Sequence, residues 1–553
     1  MPLSEAARRP VRPRTRPFWP GSQTYPLADP KHSAELVSDA LANFDQQALK
    51  VGEHLKVLKA FLPIVDDLST QLRHKIRNHA LPLSNPGNET AALIRDLHRQ
   101  MAIGYERTLT THDTSGLLGT LSKRDLLSAL QGAMVYLAEL LFDYFQVYQQ
   151  PEAGIWQDLH QLYHYAERHQ QLNAPLASMA TPAGSESSLK RLYLRLLLLT
   201  LASPYRMRQG ELEWVYSGLQ RWIAHCDIST PPIHDTGLGV LTIDMSADEP
   251  AYQPAPGQPI GPERYRILTT IDLLPVLRQE LNQIHENGTV EQTSDGGALS
   301  PDIYKRLTQA WSMTPQRSFS RSERTSELQV TIGLGPIHHF VESGDTDNLD
   351  DAPLDLVPDD HPRGRGEYVV ENHTQDIWSL AYTHDLDQDP TRAPEAHICG
   401  TINESAGGYC LTTRRESNLR ARVGELIGIH INESNNPWEI GVIRWLRGGD
   451  KDWMEFGVQM IAPYARAVQI VVADDREDAE TRHPALLLPE VRAMRQPVGL
   501  VTESSTYPVG STLTMITAKG NVDITVSRLL EATGSYSLYQ FSSHIGVMEW
   551  LDI

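Results

Sequence analysis

Apolar residues recur at helical spacing from about His32 to Ile228. Leu58, Phe61, Leu62, Val65, Leu68 and Leu72 fall at three- and four-residue steps, which puts them on one face of a helix. Ser122 followed by Asp125 predicts a capping-box start for a strong segment over Leu126–Phe145. Further helices are predicted over Trp156–Arg168, Leu189–Ala202 and Glu211–Ile223. The second of these stops ahead of Ser203-Pro204, because the residue before proline is pushed out of the helical region. Short connections favour antiparallel neighbours, arranged either as a bundle or as an array of helical hairpins.

The pattern then changes. A Pro- and Gly-rich stretch, Glu249–Pro262, interrupts a mixed α/β connecting region, and beyond Trp311 apolar residues alternate. Leu328, Val330 and Ile332 alternate with polar neighbours as in a half-buried strand. Glu342–Asp360 holds eight acidic and no basic residues and is predicted to be a solvated loop. Strands resume near Ala396, and Glu439–Arg447 and Trp453–Ile461 form a predicted hairpin about the turn Gly448–Asp452. After a charged linker, Asp474–His483, strands are predicted at Val498–Val501, Leu513–Ile516, Val522–Val526 and Tyr536–Phe541.

These elements predict a multidomain α+β chain. Its expected parts are a basic Pro-rich disordered tail (1–30), an all-α domain (31–228), a mixed α/β connector (229–310), an antiparallel β-barrel (311–475) with an acidic insertion near 342–395, and a small C-terminal β unit (484–553).

Charge narrows the partners. A net charge of −20 makes the body of the chain repel nucleic acid polymers and anionic membranes, so an anionic ligand needs a local arginine cluster. Arg8, Arg9, Arg12, Arg14 and Arg16 are such a cluster in the tail, where they could tether the protein peripherally to a membrane or an acidic partner. No apolar h-region follows them, so the tail does not read as a signal peptide. The best apolar run, Leu192–Ala202, is interrupted by Arg195 and falls short of the roughly 20 residues that cross a bilayer. Three cysteines, Cys226, Cys399 and Cys410, with no CxxC pair, point to a reducing cytoplasm.

Two motifs carry chemistry. Arg317-Ser-Phe-Ser-Arg321 stands just before the first strand of the β region. Asn403-Glu-Ser405-Ala-Gly-Gly408 lies between the strands ending near Ile402 and starting near Tyr409. In that order and on that strand pattern, with the hairpin strands Ile440–Trp445 and Glu455–Gln459 behind them, the region resembles the PilZ family. The resemblance implies a non-enzymatic receptor for cyclic di-GMP, with no other cofactor. It implies that Arg317 and Arg321 clamp phosphates and guanines, as a forked planar cation can, while Asn403, Ser405 and Gly408 shape the barrel face. Arg324 is an additional candidate contact, although Glu323 and Glu327 beside it offer an ion pair instead. Gln316 stands where many members have a further arginine, and Asn403 replaces the commoner aspartate. Eighty-one residues separate Arg321 from Asn403, most of the excess being the acidic loop, whose charge would shield the arginine arm when no ligand is present.

Other signals are set aside. Ser405 lacks the glycine two residues earlier that a nucleophile elbow requires, so no catalytic residue is assigned. His160 and His164 sit one helical turn apart but read as a helix surface, and neither they nor His338-His339 have a completing ligand, so no metal is expected. Gly333-Leu-Gly335 lacks the third glycine and the following helix of a dinucleotide fingerprint.

The family resemblance further implies action on motility, pili or surface attachment, through an unidentified protein partner that the helical domain could contact. The alternative is a scaffold whose barrel has lost its ligand and which acts through its helices.

Overall fold

The computed structural model describes residues 29–47, 49–77, 81–114, 121–179, 186–231, 238–255, 257–287, 301–312, 322–323, 326–344, 394–405, 407–414, 419–431, 436–448, 453–471, 482–491, 497–504, 507–517 and 520–543. The chain divides into two compact units, Met1–Ile284 with Val290–Gln316 and His285–Thr289 with Arg317–Ile553.

The first unit begins with helices α1 (Pro30–Asp45), α2 (Val51–Ile76), α3 (Asn85–Thr114), α4 (Lys123–Gln146), α5 (Ile155–Arg168), α6 (Leu189–Leu201) and α7 (Glu211–Trp222). Asp29 caps α1, accepting from the Lys31 and His32 amides at 3.1 and 3.3 Å, and Pro30 occupies the first turn, where it loses no hydrogen bond. The expected helix start is present as an N-cap: Ser122 Oγ accepts from the Asp125 amide at 3.1 Å, while the Asp125 carboxylate accepts from the Ser122 hydroxyl at 2.7 Å rather than from its backbone amide as a full capping box would. Helix α4 is buried on every face from Ala129 to Phe145 and packs against α2, α3, α5 and α6. A helix buried all round needs neighbours all round, so the arrangement is a bundle about α4 rather than a hairpin array. By length and composition α4 could cross a membrane, which the sequence reading overlooked in favour of Leu192–Ala202. Its apolar window is 83% buried inside the fold, as in a core helix.

Burial explains two polar residues of this unit. His160, expected on a helix surface, is fully buried: its ring nitrogens lie 2.6 Å from Tyr193 Oη and 2.8 Å from the Glu249 carbonyl, partners remote in sequence. Arg195 is also buried, donating to Glu186 Oε1 at 3.1 Å and to the Tyr216 carbonyl at 2.6 Å. After the bundle, β1 (Asp227–Ser229), β2 (Val240–Asp244) and β3 (Tyr265–Thr269) form an antiparallel sheet in the order β1-β3-β2, followed by α8 (Leu273–Asn287) and α9 (Pro301–Ser312).

The second unit contains two barrels. The first comprises β4 (Ser322–Glu323), β5 (Glu327–Ile332), β6 (His397–Ser405), β7 (Gly408–Arg414), β8 (Leu426–His430), β9 (Glu439–Gly448) and β10 (Trp453–Ala462). Their order is β4-β6-β5-β8-β9-β10-β7, and β6 also pairs with β7, so the sheet returns on itself as a six-stranded antiparallel ring with β4 added along β6. The second, closed barrel is β11 (Arg466–Val471), β12 (Arg482–Leu488), β13 (Gly499–Thr502), β16 (Ser537–Ser543), β15 (Gly520–Ala532) and β14 (Thr512–Thr517). The expected architecture of helical domain, antiparallel barrel and smaller β unit is therefore present.

Three local expectations are corrected. The first barrel, expected to run to 475, ends earlier, because β11 hydrogen-bonds to β12 and β14 in the second barrel. Arg482 and His483 open a strand rather than close a linker. A helix, α10 (Leu334–Ser343), follows Gly333 directly, so a helix is present after Gly333-Leu-Gly335 and takes in Glu342 of the expected acidic loop. The position of a third glycine is still filled by His338. The rest of the acidic segment, 345–360, lies outside the described residues, as does the hairpin turn 449–452.

Helix α10 joins the two barrels. Leu334, Ile337 and Val341 pack in one core with Leu426, Ile440 and Val442 of the first barrel and Leu486, Leu488, Val501 and Leu538 of the second. Strand alternation allows this: Ala485 and Leu487 fill the second barrel, while Leu486 and Leu488 face outward to the shared core. His338 Nε2 donates to the Val468 carbonyl at 3.0 Å, and Thr533 Oγ1 donates to the Gly424 carbonyl at 2.7 Å. Burial of this size couples the two barrels energetically, at about 1.5–3 kcal/mol for each large side chain.

Candidate functional site

The second motif lies on the hairpin of β6 and β7. Asn403 stands opposite Cys410, Glu404 opposite Tyr409 and Ser405 opposite Gly408. A bulge between Thr401 and Asn403 re-phases β6, and beyond it Asn403 and Ser405 share a face by alternation. Ser405 Oγ donates to the Gly408 carbonyl at 3.3 Å, a long bond across the turn; its partner is a carbonyl rather than a base. Gly408 has φ +153°, and a Cβ there would sit 1.9 Å from the Val458 carbonyl oxygen on β10. The motif glycine is thus required by the close approach of two barrel strands, whatever else it does.

Arg317, Arg321 and Arg324 lie outside the described residues. Their immediate neighbour does not. Ser322 pairs with Glu404, and Glu323 pairs with Asn403, along the free edge of β6. Ser322 directly follows Arg321 in sequence, and its strand partner is the middle of the second motif. The long intervening sequence does not prevent β4 and β6 from meeting in register.

Register also reveals residues that sequence reasoning did not select. Asn403 pairs with Cys410, Cys410 with Gly457, and Gly457 with Trp445, making one row across four strands. The adjacent row runs from Ser405 through Gly408 to Gln459. Paired residues project to the same side, so Trp445 and Gln459 share the face of Asn403 and Ser405. Small residues make its floor, and the Trp445 indole lies across Gly457, where a Cβ would come within 1.8 Å of Nε1. Arg444 is the extra residue in a bulge between the Ile443–Val458 and Trp445–Gly457 pairs, and its Nε donates to Gln459 Oε1 at 2.8 Å. The only signal for these residues was the hairpin that holds them.

The face therefore offers a flat floor, an aromatic plane, amide edges, a hydroxyl and a cation. These groups suit a flat, polar ring carrying negative charge. At its margin, Tyr409 Oη donates to Glu439 Oε2 at 3.1 Å. Burial pushes the Glu439 carboxyl up, the Tyr409 hydrogen bond opposes that, and Glu404 pushes it up further. Burial also pushes the Cys399 thiol up to about 12, which disfavours the nucleophilic thiolate. Among the described residues there is no group of three His, Cys, Asp or Glu side chains placed to hold a metal ion.

Family models match the chain in three consecutive stretches. They are the N-terminal domain of the cyclic-di-GMP receptor FimW at residues 22–233, its middle PilZ domain at 240–352 and 357–467, and the FimW C-terminal beta-barrel domain at 467–544. The last boundary falls at the start of β11, where the second barrel begins. Among curated proteins, the cyclic-di-GMP receptor FimW of Pseudomonas aeruginosa is 24% identical over 574 residues, covering 94% of this chain and 88% of that protein. No solved structure matches the chain.

Proposed function

This chain is a PilZ-domain protein with the three domains of the FimW receptors in order, and from that premise we propose that it is a non-enzymatic receptor for cyclic di-GMP. The observation that supports the reading is the pairing of Ser322 with Glu404 and of Glu323 with Asn403, since Ser322 follows the first motif directly in sequence. In this reading Arg317 and Arg321 supply forked donors to the two phosphates and planar cations to the guanines. Asn403 and Ser405 offer hydrogen bonds on the barrel face, and Gly408 keeps that face flat. Arg324 stands ready as a further cation.

Ordering of the arm gives the signal. The first motif begins at the sequence position where the two compact units divide, and a ligand that favours one arrangement of the arm shifts its population by its differential affinity. The output reaches a protein partner through the helical domain, in motility, pilus or surface-attachment control, and the protein works in the cytoplasm, with the basic tail serving peripheral contacts.

The experiment is calorimetric titration of the full chain with cyclic di-GMP. Micromolar or tighter binding is expected, abolished in Arg321→Ala with the circular dichroism spectrum unchanged. A second reading has one observation in its favour: Gly408 and the Ser405 hydrogen bond both serve the barrel itself, so they would persist in a scaffold without ligand. Folded wild-type protein that gives no heat would establish that reading instead.

A further inference from the structure

Arg444 connects the candidate ligand face to the second barrel. Its Nε holds Gln459, whose backbone partner is Gly408, itself the partner of Ser405. Its Nη1 and Nη2 reach the other way, donating to both carboxylate oxygens of Glu531 on β15 at 2.5 and 3.0 Å. Both side chains remain partly accessible, 32% for Arg444 and 26% for Glu531. Each stands where strand pairing is irregular: Arg444 in the bulge of β9, and Glu531 after a register shift on β15. Bulges aim side chains away from the regular pleat, here from the two barrels toward one another. Beneath the pair lies the shared core, with Ile440 and Val442 on one side and Leu538 on the other.

We propose that the Arg444–Glu531 pair is a ligand-responsive latch, in which Arg444 is a further phosphate-binding residue of the first barrel and Glu531 is the carboxylate that the phosphate displaces. The proposal rests on the cyclic di-GMP reading above. A bidentate carboxylate and a phosphate make the same forked demand on a guanidinium, so the two compete for Arg444. Ligand that wins Arg444 releases the rim of the second barrel, and occupancy of one barrel is passed to the other without movement of the core between them. By linkage, whatever weakens the Glu531 contact must tighten the ligand.

The sign of the effect separates a latch from a merely structural ion pair. Calorimetry with cyclic di-GMP on full-length Glu531→Gln should show binding tighter than wild type by about threefold to fivefold, the scale of a partly exposed pair. Arg444→Gln should weaken binding by about tenfold, the scale of one lost charge-assisted contact. In the double variant the gain from Glu531→Gln should vanish, since no arginine remains to be freed. Unchanged affinity in both single variants, or a loss in both, overturns the latch while wild-type binding keeps the receptor reading intact. If wild-type protein does not bind, the receptor reading fails and the latch falls with it.

Discussion

Replacing Gly408 with alanine is the sharpest local test of how the motif is built. A Cβ at this position would lie 1.9 Å from the Val458 carbonyl oxygen, 3.0 Å from its carbon and 3.2 Å from Gln459 Cα, all backbone atoms of β10 that no rotamer change can move. Overpacking of a filled site costs about 1–3 kcal/mol, and a side chain at so sparsely populated a φ adds about 1–3 kcal/mol. Their sum, on the order of 4 kcal/mol, should raise local opening of the β7–β10 pair about a thousandfold. Gly400 provides the control, because a Cβ there meets the Thr412 methyl at 3.3 Å and the nearest backbone atom, the Thr412 carbonyl oxygen, only at 3.9 Å. Its alanine variant should cost less than about 1 kcal/mol. Amide hydrogen exchange at Cys410 and Gly457 is the suitable assay, since a chain of several domains need not unfold in two states. Slow exchange in Gly408→Ala, equal to wild type, would refute the strand-approach explanation of this glycine.

Two further outcomes concern the helical bundle. The Asp66 carboxyl is pushed up to about 6, first by burial, with Glu139 adding to it and Tyr136, His98 and Arg73 opposing. Its folded pKa lies above the unfolded value of about 3.9, so stability falls as pH rises from about 4 to 6, the loss is complete above 6, and it disappears as pH falls toward 4. Asp66→Asn, which still accepts from Tyr136 Oη, should therefore raise the melting temperature at pH 8 and leave it nearly unchanged at pH 4; equal shifts at both would contradict this. Arg195→Met removes the buried partner of Glu186 and two donors to the Tyr216 carbonyl. A loss of about 3 kcal/mol is expected in denaturant titration, with no loss counting against the buried-pair account.

Local periodicity was enough to recognise most elements, and order was enough to recognise the motifs. Helix α10 was not expected after Gly333-Leu-Gly335, although glycine and a first-turn proline, Pro336, are compatible with a helix start, where proline loses no hydrogen bond. Strand β11 was assigned to the wrong barrel because its partners, β12 and β14, lie farther along the chain than its sequence neighbours. His160 read as surface because the Tyr193 and Glu249 groups that satisfy it cannot be inferred from spacing. Site residues followed the same division. Asn403, Ser405 and Gly408 form a local motif, whereas Arg444, Trp445 and Gln459 join their face only through cross-strand register. A bulge such as that at Arg444 exists only relative to a partner strand, so no periodicity within one strand announces it.

The central claim is that the arginine arm and the β6–β7 face together hold cyclic di-GMP. Hydrogen exchange of the full chain with and without cyclic di-GMP tests it directly. Protection is expected in peptides covering 317–323 and 403–410, and none in α1 to α3 of the bundle. Binding that leaves both peptides unprotected, or that protects only the bundle, would contradict the claim.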